Sequence, residues 1–231
     1  MQILYDAGAL VASYILGSIP FGLIIVKLRT GKDIRLIESG RTGGTNAWRA
    51  AGAAVGLLTA ILDILKGAGS VWLARAIGSS EWLHALAPIA AILGHNYSIF
   101  LPERDEYGHW HLRGGAGGAA CLGGAFGLWM PSILIILPIG ALIYYFIGYA
   151  SVTTLSAAGM AIIIFAVRAV LGLSSWEYVI YGVLAGALLA LALRPNIKRL
   201  RNGTERLHGW RARHREPEQI EESKSRGQFQ R

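Results

Sequence analysis

One long uncharged stretch constrains this chain more than any other feature of its sequence. Residues 114–167, 54 positions in all, contain no Asp, Glu, Lys, Arg or His. A helix needs only about 20 such residues to cross the hydrocarbon core of a bilayer. Of all 231 residues, 53% are hydrophobic and 16% are charged, which is a poor composition for a soluble domain. The sequence therefore predicts an all-α integral membrane protein that crosses the membrane several times.

The apolar segments divide into about seven transmembrane helices. We divide the long stretch at Met130-Pro131 and at the polar patch 151–156, because proline and clustered polar residues interrupt apolar helices. The fourth helix is short and glycine-rich, so it either crosses the membrane or is re-entrant. The predicted spans are residues 7–26, 50–72, 82–102, about 116–129, about 131–149, about 154–171 and about 175–193.

The basic residues indicate which way the chain crosses the membrane. Nineteen of the 22 Lys and Arg residues lie in segments 27–49 and 102–113 and in the tail from Arg194. With seven spans, all three regions fall on one side, which the positive-inside rule identifies as cytoplasmic. The N-terminus is then outside and the C-terminus inside. The net charge of +8 therefore reflects membrane topology and contact with anionic lipid headgroups, and we expect no nucleic-acid partner.

The chain is predicted to form one membrane domain followed by a short tail. Residues 1–205 hold the seven helices, and residues 206–231 form a charged cytoplasmic tail that has the composition of a disordered segment after Glu216. The single cysteine, Cys121, excludes an intramolecular disulfide and a cysteine-based metal site. We expect neither a metal nor a cofactor.

A glycine-rich segment precedes the second span on the predicted cytoplasmic face. It reads Ser-Gly-Arg-Thr-Gly-Gly-Thr-Asn-Ala-Trp-Arg from Ser39 to Arg49. Glycines such as Gly43 let successive backbone N–H groups converge, and Thr45 or Asn46 is placed to cap the next helix, whose N-terminus attracts an anion. Arg49, about one turn inside that helix, can bind phosphate oxygens. Taken alone, the pattern favours a capped connection with positive-inside arginines over a phosphate cradle.

A second glycine cluster, residues 113–120, lies on the same predicted face. It contains Arg113, Gly114, Gly115 and Gly117 at the start of the fourth helix, and His95 lies near the end of the third span. Such glycines permit close approach of the backbone to a ligand, but they more often serve tight helix packing in membranes. A lone histidine can act on a proton or an anion, although it is more often structural.

Polar residues in or beside two other spans are further candidates. Asp63 and Lys66 lie three residues apart on the second span and so share a helix face. Charges inside a membrane mark functional sites by default, yet this pair could equally hold helices together. The basic residues after the last span are explained as a stop-transfer signal, whereas Asn196 and Glu205 are not.

Together, these segments resemble the acyl-phosphate-dependent glycerol-3-phosphate acyltransferase family, known as PlsY. The resemblance covers nearly the whole chain up to Glu205. Ser151, which follows Gly148-Tyr149, is similar to a family serine at the start of the sixth helix. The residues that fit the three family motifs are Ser39, Gly40, Gly43, Thr45, Asn46 and Arg49; then Gly94, His95, Gly114, Gly115 and Gly117; then Arg194, Asn196, Gly203, Thr204 and Glu205.

The chain departs from the family pattern in the second and third motifs. Arg113 and Ala116 stand where the family has lysines, and Leu193 stands where it has a histidine. The loop before Arg113 is longer than is usual in the family and carries His109 and His111. Losing a phosphate-binding cation weakens the stabilisation of negative charge unless another cationic group, such as one of these three side chains, replaces it.

The resemblance implies transfer of an acyl chain from acyl phosphate to the sn-1 hydroxyl of glycerol 3-phosphate, giving lysophosphatidic acid and phosphate for phospholipid synthesis. It also implies a bacterial plasma membrane location with the site facing the cytoplasm. Acyl phosphate carries a good leaving group, so the site has to position two anions rather than supply a strong nucleophile. The implied catalytic residues are Ser39, Arg49, Ser151 and Asn196, and the implied substrate-binding residues are Gly43, Thr45, Asn46, Lys66, His95, Arg113, Gly114, Gly115, Gly117 and Glu205, of which Glu205 organises the cations of the first segment.

Two other functions stay open. A family member with lost or altered activity would bind a phosphorylated lipid precursor, and Ala116 and Leu193 motivate that hypothesis. A small membrane transporter would explain the spans and the pair formed by Asp63 and Lys66, but not the glycine motifs gathered on one face. The chain has no Gly-x-Ser-x-Gly elbow and no His-x4-Asp motif, which argues against acyltransferases of those kinds.

Overall fold

The computed structural model describes residues 1–214 and consists of packed α-helices with one small β-hairpin. Antiparallel strands β1 (Pro102–Arg104) and β2 (Trp110–Leu112) form the hairpin, and 3-10 turns occur at Ile34–Leu36 and Met130–Ser132. The disorder predicted after Glu216 falls outside the described residues. The α-helices are α1 (Gln2–Ser18), α2 (Phe21–Thr30), α3 (Gly44–Ala51), α4 (Ala53–Ile77), α5 (Glu81–Asn96), α6 (Gly118–Leu128), α7 (Ile133–Phe146), α8 (Ala150–Val170), α9 (Glu177–Ala192) and α10 (Arg194–Arg201).

Three helical segments within residues 1–214 are long and apolar enough to cross a membrane. They are Gln2–Thr30, Ala53–Ile77 and Ala150–Val170, with 29, 25 and 21 residues. A fourth candidate combines α9 and α10, whose axes are bent by 69° relative to each other. The predicted helical architecture with apolar spans is confirmed, and α6 is short as expected. The total of seven crossings stays a prediction.

Large apolar side chains cover the outside of these helices. Leu4 on α1, Leu134 on α7 and Ile163 on α8 are 72%, 75% and 64% exposed. Exposing such side chains to water costs free energy, whereas lipid tails are as apolar as leucine. The exposed surface of the helices is therefore one that a bilayer covers.

Glycines let the helices approach closely. The helix α4 packs mainly against α6, and α1 packs mainly against α5. A Cβ atom on Gly67 of α4 would overlap the carbonyl oxygen of Ala120, and one on Gly123 of α6 would overlap that of Ile64. Small residues at helix crossings are the usual route to close backbone packing in membranes.

The main core lies between α6, α8 and α9. Phe165 and Tyr181 are fully buried there, with ring centroids 6.3 Å apart in an edge-on arrangement. The hydroxyl of Tyr181 donates to the carbonyl of Cys121, so the polar atom of this ring is satisfied inside the apolar core. The polar groups described below gather beyond this core, at one end of the helices.

The first predicted span is interrupted, and the third has the wrong end. The first, 7–26, lies within the candidate span Gln2–Thr30, but α1 ends at Ser18 and α2 begins at Phe21, because Pro20 lacks an amide donor and restricts the residue before it. The third was expected to reach residue 102, but α5 ends at Asn96 and the chain then turns into β1.

The start of the second span is also wrong. Gly52, with φ of 90°, separates α3 from α4, so the spanning helix begins at Ala53 rather than at residue 50. Positive φ is a conformation that glycine adopts without steric cost. Arg49 lies about one turn inside the helix that follows the glycine segment, as predicted, but this helix is the short α3 and not the span. The sixth helix begins at Ala150 instead of about 154, which puts Ser151 in its first turn.

Candidate active site

The first glycine-rich segment is shaped by a buried asparagine. The amide nitrogen of Asn46 donates to the carbonyls of Ile34, Ile37 and Arg41 at 3.2, 3.0 and 2.9 Å. The predicted capping role of Thr45 or Asn46 is wrong, because α3 begins at Gly44 and its N-cap residue is Gly43. Asn46, which is 3% exposed, fastens the loop.

Thr45 and Ser39 lie at the surface of the same segment. Both side chains are exposed. The hydroxyl oxygen of Ser39 accepts the backbone N–H of Arg41 at 3.4 Å, which holds the loop in a local turn. These two hydroxyl groups therefore remain accessible to a ligand, in contrast to the buried amide of Asn46.

The second glycine segment lies directly against the first. The backbone N–H of Thr42 donates to the carbonyl of Gly114 at 3.4 Å. A Cβ atom on Gly40, where φ is 67°, would come within 3.2 Å of the guanidinium of Arg113. The two motifs, about 70 residues apart in sequence, thus form one surface.

The cation at Arg113 is already partly neutralised in this structure. Its Nε lies 2.9 Å from a carboxylate oxygen of Glu103 on β1. His111 lies 3.4 Å from the same carboxylate, and His109 lies 3.4 Å from Asp105. Arg113, His109 and His111 are the groups that could replace the lysine missing at Ala116. All three are already paired with acidic residues of the hairpin.

His95 and Lys66 belong to a buried network. The Nζ of Lys66 lies 2.9 Å from Asp63 and donates to the carbonyl of Ile19 at 3.0 Å, and Nδ1 of His95 lies 3.5 Å from Asp63. Lys66, Asp63 and His95 are 3%, 1% and 5% exposed. The network joins α4 to α5 and to the residue that follows α1, and the ammonium of Lys66 is already paired within it. The role of Lys66 in substrate binding stays a prediction.

The glycines after Arg113 are packed around His95. The backbone N–H of Gly115 donates to the carbonyl of His95 at 2.8 Å, and a Cβ atom on Gly115 would overlap the imidazole ring. A Cβ atom on Gly114 would overlap the carbonyl of His95. Gly115 therefore leaves room for the imidazole of His95, and its backbone N–H is already bonded and not free for a ligand. Gly117, with φ of 84°, begins the turn into α6.

Ser151, Asn196 and Glu205 come together as one hydrogen-bonded group. The hydroxyl of Ser151 and the amide of Asn196 donate to the two carboxylate oxygens of Glu205 at 2.8 and 3.1 Å. The hydrogen bonds of Glu205 go to these two residues, and its role in organising the cations of the first segment stays a prediction. Glu205 is 8% exposed and lies at the N-terminus of α8, where the helix dipole favours a carboxylate.

A left-handed glycine positions that carboxylate. Gly203 has φ of 69° and ends α10, and the N–H of Thr204 returns to the carbonyl of Arg199 at 2.8 Å. This backbone arrangement is a common helix C-terminus. It reverses the chain so that Glu205 meets both Ser151 and Asn196. Leu193, in the position of the family histidine, is buried between α9 and α10.

Arg41 joins the first segment to the end of α9. Its Nη2 donates to the carbonyl of Ala192 at 2.5 Å. Burial and the neighbouring Arg199 lower the pKa of Arg41, and Glu205 acts in the opposite direction. An arginine remains charged under such a shift, so Arg41 adds a positive charge to the site. Sequence reasoning missed it because it looked like one more positive-inside arginine.

Arg49 meets a histidine from the far end of the chain. Its Nη2 donates to Nε2 of His208 at 3.0 Å, across 159 residues of sequence. The ring of His208 stacks on Tyr144, with centroids 5.3 Å apart. Burial, Arg49 and Arg206 hold the pKa of His208 below its usual range, against the influence of Glu205. No sequence pattern near His208 pointed to this contact.

These contacts connect segments that are distant in the sequence. The first segment touches Gly114, Ala192 and His208, and the group around Glu205 joins α8 to α10. Positive charges, hydroxyl groups and an acidic residue thus surround one region at the end of an apolar helical bundle. This fold and site define a helical membrane protein with a polar, cation-rich site suited to anionic ligands.

Comparison with known proteins identifies the family. The profile of the family Glycerol-3-phosphate acyltransferase matches residues 7–203. A glycerol-3-phosphate acyltransferase of Syntrophomonas wolfei is 36% identical over 201 residues, covering 87% of this chain and 95% of the relative, and one of Thermus thermophilus is 36% identical over 203 residues, covering 88% and 95%. The chain belongs to this family.

Solved structures agree with this assignment. The crystal structure of PlsY (YgiH), an integral membrane glycerol 3-phosphate acyltransferase, in its glycerol 3-phosphate form matches with a TM-score of 0.74 and 31% identity, covering 88% of this chain and 96% of that one. Its lysophosphatidic acid form matches with a TM-score of 0.73 and 30% identity, covering 88% and 95%. The integral membrane fold predicted from the sequence is therefore supported.

Proposed function

We propose that this protein transfers an acyl chain from acyl phosphate to the sn-1 hydroxyl of glycerol 3-phosphate, releasing lysophosphatidic acid and inorganic phosphate for phospholipid synthesis. Membership of the glycerol-3-phosphate acyltransferase family supports the acceptor and the reaction type. The similarity to PlsY structures named for glycerol 3-phosphate and for lysophosphatidic acid supports the same acceptor and product. Acyl phosphate as donor is the new element of the proposal.

The observation that carries the proposal is the convergence of three distant segments on one polar region. Ser151 and Asn196 share the carboxylate of Glu205, while Arg41 contacts the end of α9 from the first segment. Two phosphate-bearing substrates require cations and hydrogen-bond donors close together. They also require apolar surroundings for the acyl chain, which the exposed faces of the helices offer.

The reaction requires the protein mainly to position the two substrates and to stabilise negative charge. We assign Ser39 and Arg49 to holding phosphate, with the second glycine segment close enough for its backbone to approach the ligand. The sn-1 oxygen attacks the acyl carbon, a C–O ester bond forms, and the bond from the acyl carbon to the phosphate oxygen breaks. The proton of the hydroxyl passes to the departing phosphate. No protein nucleophile and no cofactor takes part in this scheme.

Asn196 and Ser151 serve to orient a substrate in this scheme. Both groups donate to Glu205, which fixes the rotamers of the serine hydroxyl and the asparagine amide. The amide oxygen and the second amide hydrogen of Asn196 remain for a ligand. Glu205 thus works through its two neighbours, since its carboxylate would repel a phosphate.

We also propose seven crossings, an external N-terminus and a site that faces the cytoplasm across a bacterial plasma membrane. The distribution of Lys and Arg supports this orientation, because segments 27–49 and 102–113 and the tail then share one side. The polar region described above is built from those same segments. A cytoplasmic site also suits two phosphorylated metabolites that do not cross a bilayer unaided.

The proposal is tested by assaying the purified full chain in detergent with palmitoyl phosphate and glycerol 3-phosphate. We expect lysophosphatidic acid and phosphate in equal amounts, with no product from palmitoyl-CoA. Arg49→Ala should lower kcat/KM at least about tenfold, since one charge-assisted contact to phosphate is lost. Arg29→Ala, at an exposed position on α2, is the matched control.

Phosphate release without acylated product would contradict the proposed transfer. So would turnover with palmitoyl-CoA alone, which would identify a different donor. Absence of turnover with every donor would favour the alternative in which the chain only binds a phosphorylated lipid precursor. Ala116 and Leu193 motivate that alternative, and the pairing of Arg113 with Glu103 adds a structural observation in its favour.

A further inference from the structure

The segment after α10 reaches back across the site to Arg49. Its His208 offers Nε2 to the guanidinium of Arg49 at 3.0 Å. Arginine has only donors and remains protonated in proteins, so Nε2 must be the acceptor. The imidazole is therefore neutral in this arrangement and carries its proton on Nδ1.

Backbone contacts fix the position of the histidine. The N–H of His208 donates to the carbonyl of Gly148 at 2.8 Å, and the ring stacks on Tyr144. Gly148 has φ of 81°, and a Cβ atom there would lie 2.6 Å from the carbonyl oxygen of His208. Only glycine at 148 lets this segment lie against the junction of α7 and α8.

An ion pair ties the same segment to the first glycine motif. Arg206 lies 3.0 Å from a carboxylate oxygen of Glu38, the residue before Ser39. The segment 205–208 is thus attached on both sides of the site, through Glu205 to α8 and through Arg206 to the first motif. The family profile matches residues 7–203, so His208 lies beyond the residues that this profile matches.

We infer that His208 is a positioning residue that holds the guanidinium of Arg49 in the orientation that receives a substrate phosphate. This inference rests on the proposed function. A carboxylate partner would also fix Arg49, but it would neutralise the charge and compete with phosphate. A neutral imidazole fixes the guanidinium and leaves its positive charge available to the substrate.

The arrangement predicts a dependence on pH. Two arginines face the imidazole of His208: Arg49 on α3 and Arg206 in the segment after α10. Glu205 opposes their effect on the pKa of His208. Tyr144 of α7, which stacks on the ring, is uncharged at neutral and acidic pH. The pKa of His208 lies below its usual range, mainly through burial and these two arginines. The ring therefore stays neutral at pH 7. Acidification protonates it, removes the acceptor and sets a second cation against Arg49.

The test compares kinetic constants of the full-length wild type, His208→Ala and His208→Gln with both substrates. The side-chain oxygen of glutamine can accept from Arg49 in place of Nε2 and does not titrate. In His208→Ala we expect KM to rise roughly tenfold for one substrate, the one whose phosphate Arg49 holds, with kcat changed much less. In His208→Gln we expect KM to stay within about threefold of the wild-type value. The part of the activity loss at acidic pH that comes from protonation of His208 should be absent in this variant.

A matched control is available in the same segment. His214 is exposed and bonds the carbonyl of Trp210, away from Arg49, so His214→Ala should behave as wild type. Unchanged KM in His208→Ala overturns the inference. It is also overturned if His208→Gln is as impaired as His208→Ala, if its pH profile superimposes on that of wild type, or if both KM values and kcat worsen together as in general misfolding.

Failure of the proposed function is visible separately. If the wild type forms no lysophosphatidic acid, that function is wrong, and the inference is then judged by equilibrium binding of glycerol 3-phosphate and palmitoyl phosphate to the same variants. Weaker binding of one ligand to His208→Ala, restored in His208→Gln, supports the positioning role. Equal affinities of all three proteins for both ligands overturn it.

Discussion

The hydroxyl of Ser151 donates a 2.8 Å hydrogen bond to Glu205, 54 residues further along the chain. This contact joins the first turn of α8 to the loop that follows α10. The same carboxylate accepts from Asn196 at 3.1 Å, so one buried acidic group fixes two polar side chains of the site. Loss of either donor leaves a buried carboxylate with fewer partners, which is costly.

Ser151 and Glu205 should act as one unit in catalysis. A hydrogen bond to a charged group contributes about 1.5–3 kcal/mol, so we expect Ser151→Ala to lower kcat/KM by roughly 10–100-fold. Glu205→Ala should lower it at least as much, because it also removes the acceptor of Asn196. The double variant should lose much less than the product of the two losses, because each substitution removes the same interaction.

Ser156→Ala is the control for this cycle. Its hydroxyl lies on the same helix and bonds the carbonyl of Val152, so activity should stay near that of wild type. Fully multiplicative losses in the double variant would show that Ser151 and Glu205 act independently.

Close packing of α4 and α6 makes Gly67 sensitive to any side chain. A Cβ atom there meets the backbone of Ala120, which cannot move without shifting α6. We expect Gly67→Ala to destabilise the fold by about 1–3 kcal/mol, measured as a lower Tm in detergent. Gly159→Ala on α8 has open space around it and should keep or slightly raise Tm, since alanine favours helix. Equal Tm values for the two variants would contradict this view of the packing.

The ion pair of Asp63 and Lys66 should matter more for stability than for substrate affinity. Both side chains are almost fully buried and 2.9 Å apart. Replacing one partner leaves an uncompensated charge, so Asp63→Asn should cost about 3–5 kcal/mol of stability. Asp63→Asn combined with Lys66→Met should recover much of that loss. The partly exposed pair of Asp33 and Arg35 is the comparison, and Asp33→Asn should cost less than about 1 kcal/mol.

Loss of activity without loss of stability would show that the pair takes part in the reaction. If the double variant is stable yet inactive, Asp63 or Lys66 takes part in substrate binding after all. Thermal unfolding and kcat/KM measured on the same preparations separate the two outcomes.

The proposed orientation can be tested by cysteine labelling. In a Cys121→Ala background, Lys32→Cys and Ser79→Cys each place one thiol at an exposed position, before and after the second span. With the N-terminus outside, a membrane-impermeant maleimide added to intact cells should label residue 79 and leave residue 32 unlabelled until the membrane is opened. The reverse pattern would invert the topology. Labelling of both positions in intact cells would contradict a single crossing between them.

Local sequence patterns predicted much of this protein because their causes are local. Apolar runs mark helices that a bilayer can cover. The breaks at Pro20 and Gly52 also have local causes, but they were not predicted, because the apolar run continues through both positions. The glycine segments stand out in the sequence itself, and the family resemblance supplied their predicted role in the site. The role of Asn46 was missed, because its choice between capping α3 and bonding three loop carbonyls depends on how the loop folds back.

The sequence by itself determined an apolar helical membrane protein of the glycerol-3-phosphate acyltransferase type, since hydropathy and motif spacing are properties of neighbouring residues. Only the tertiary structure decided which polar groups meet. The contact of Arg49 with His208 spans 159 residues, and Glu205 bonds Ser151 and Asn196 instead of an arginine of the first segment. Such pairings follow from helix packing and the turn at Gly203, which leave no periodic trace in the sequence.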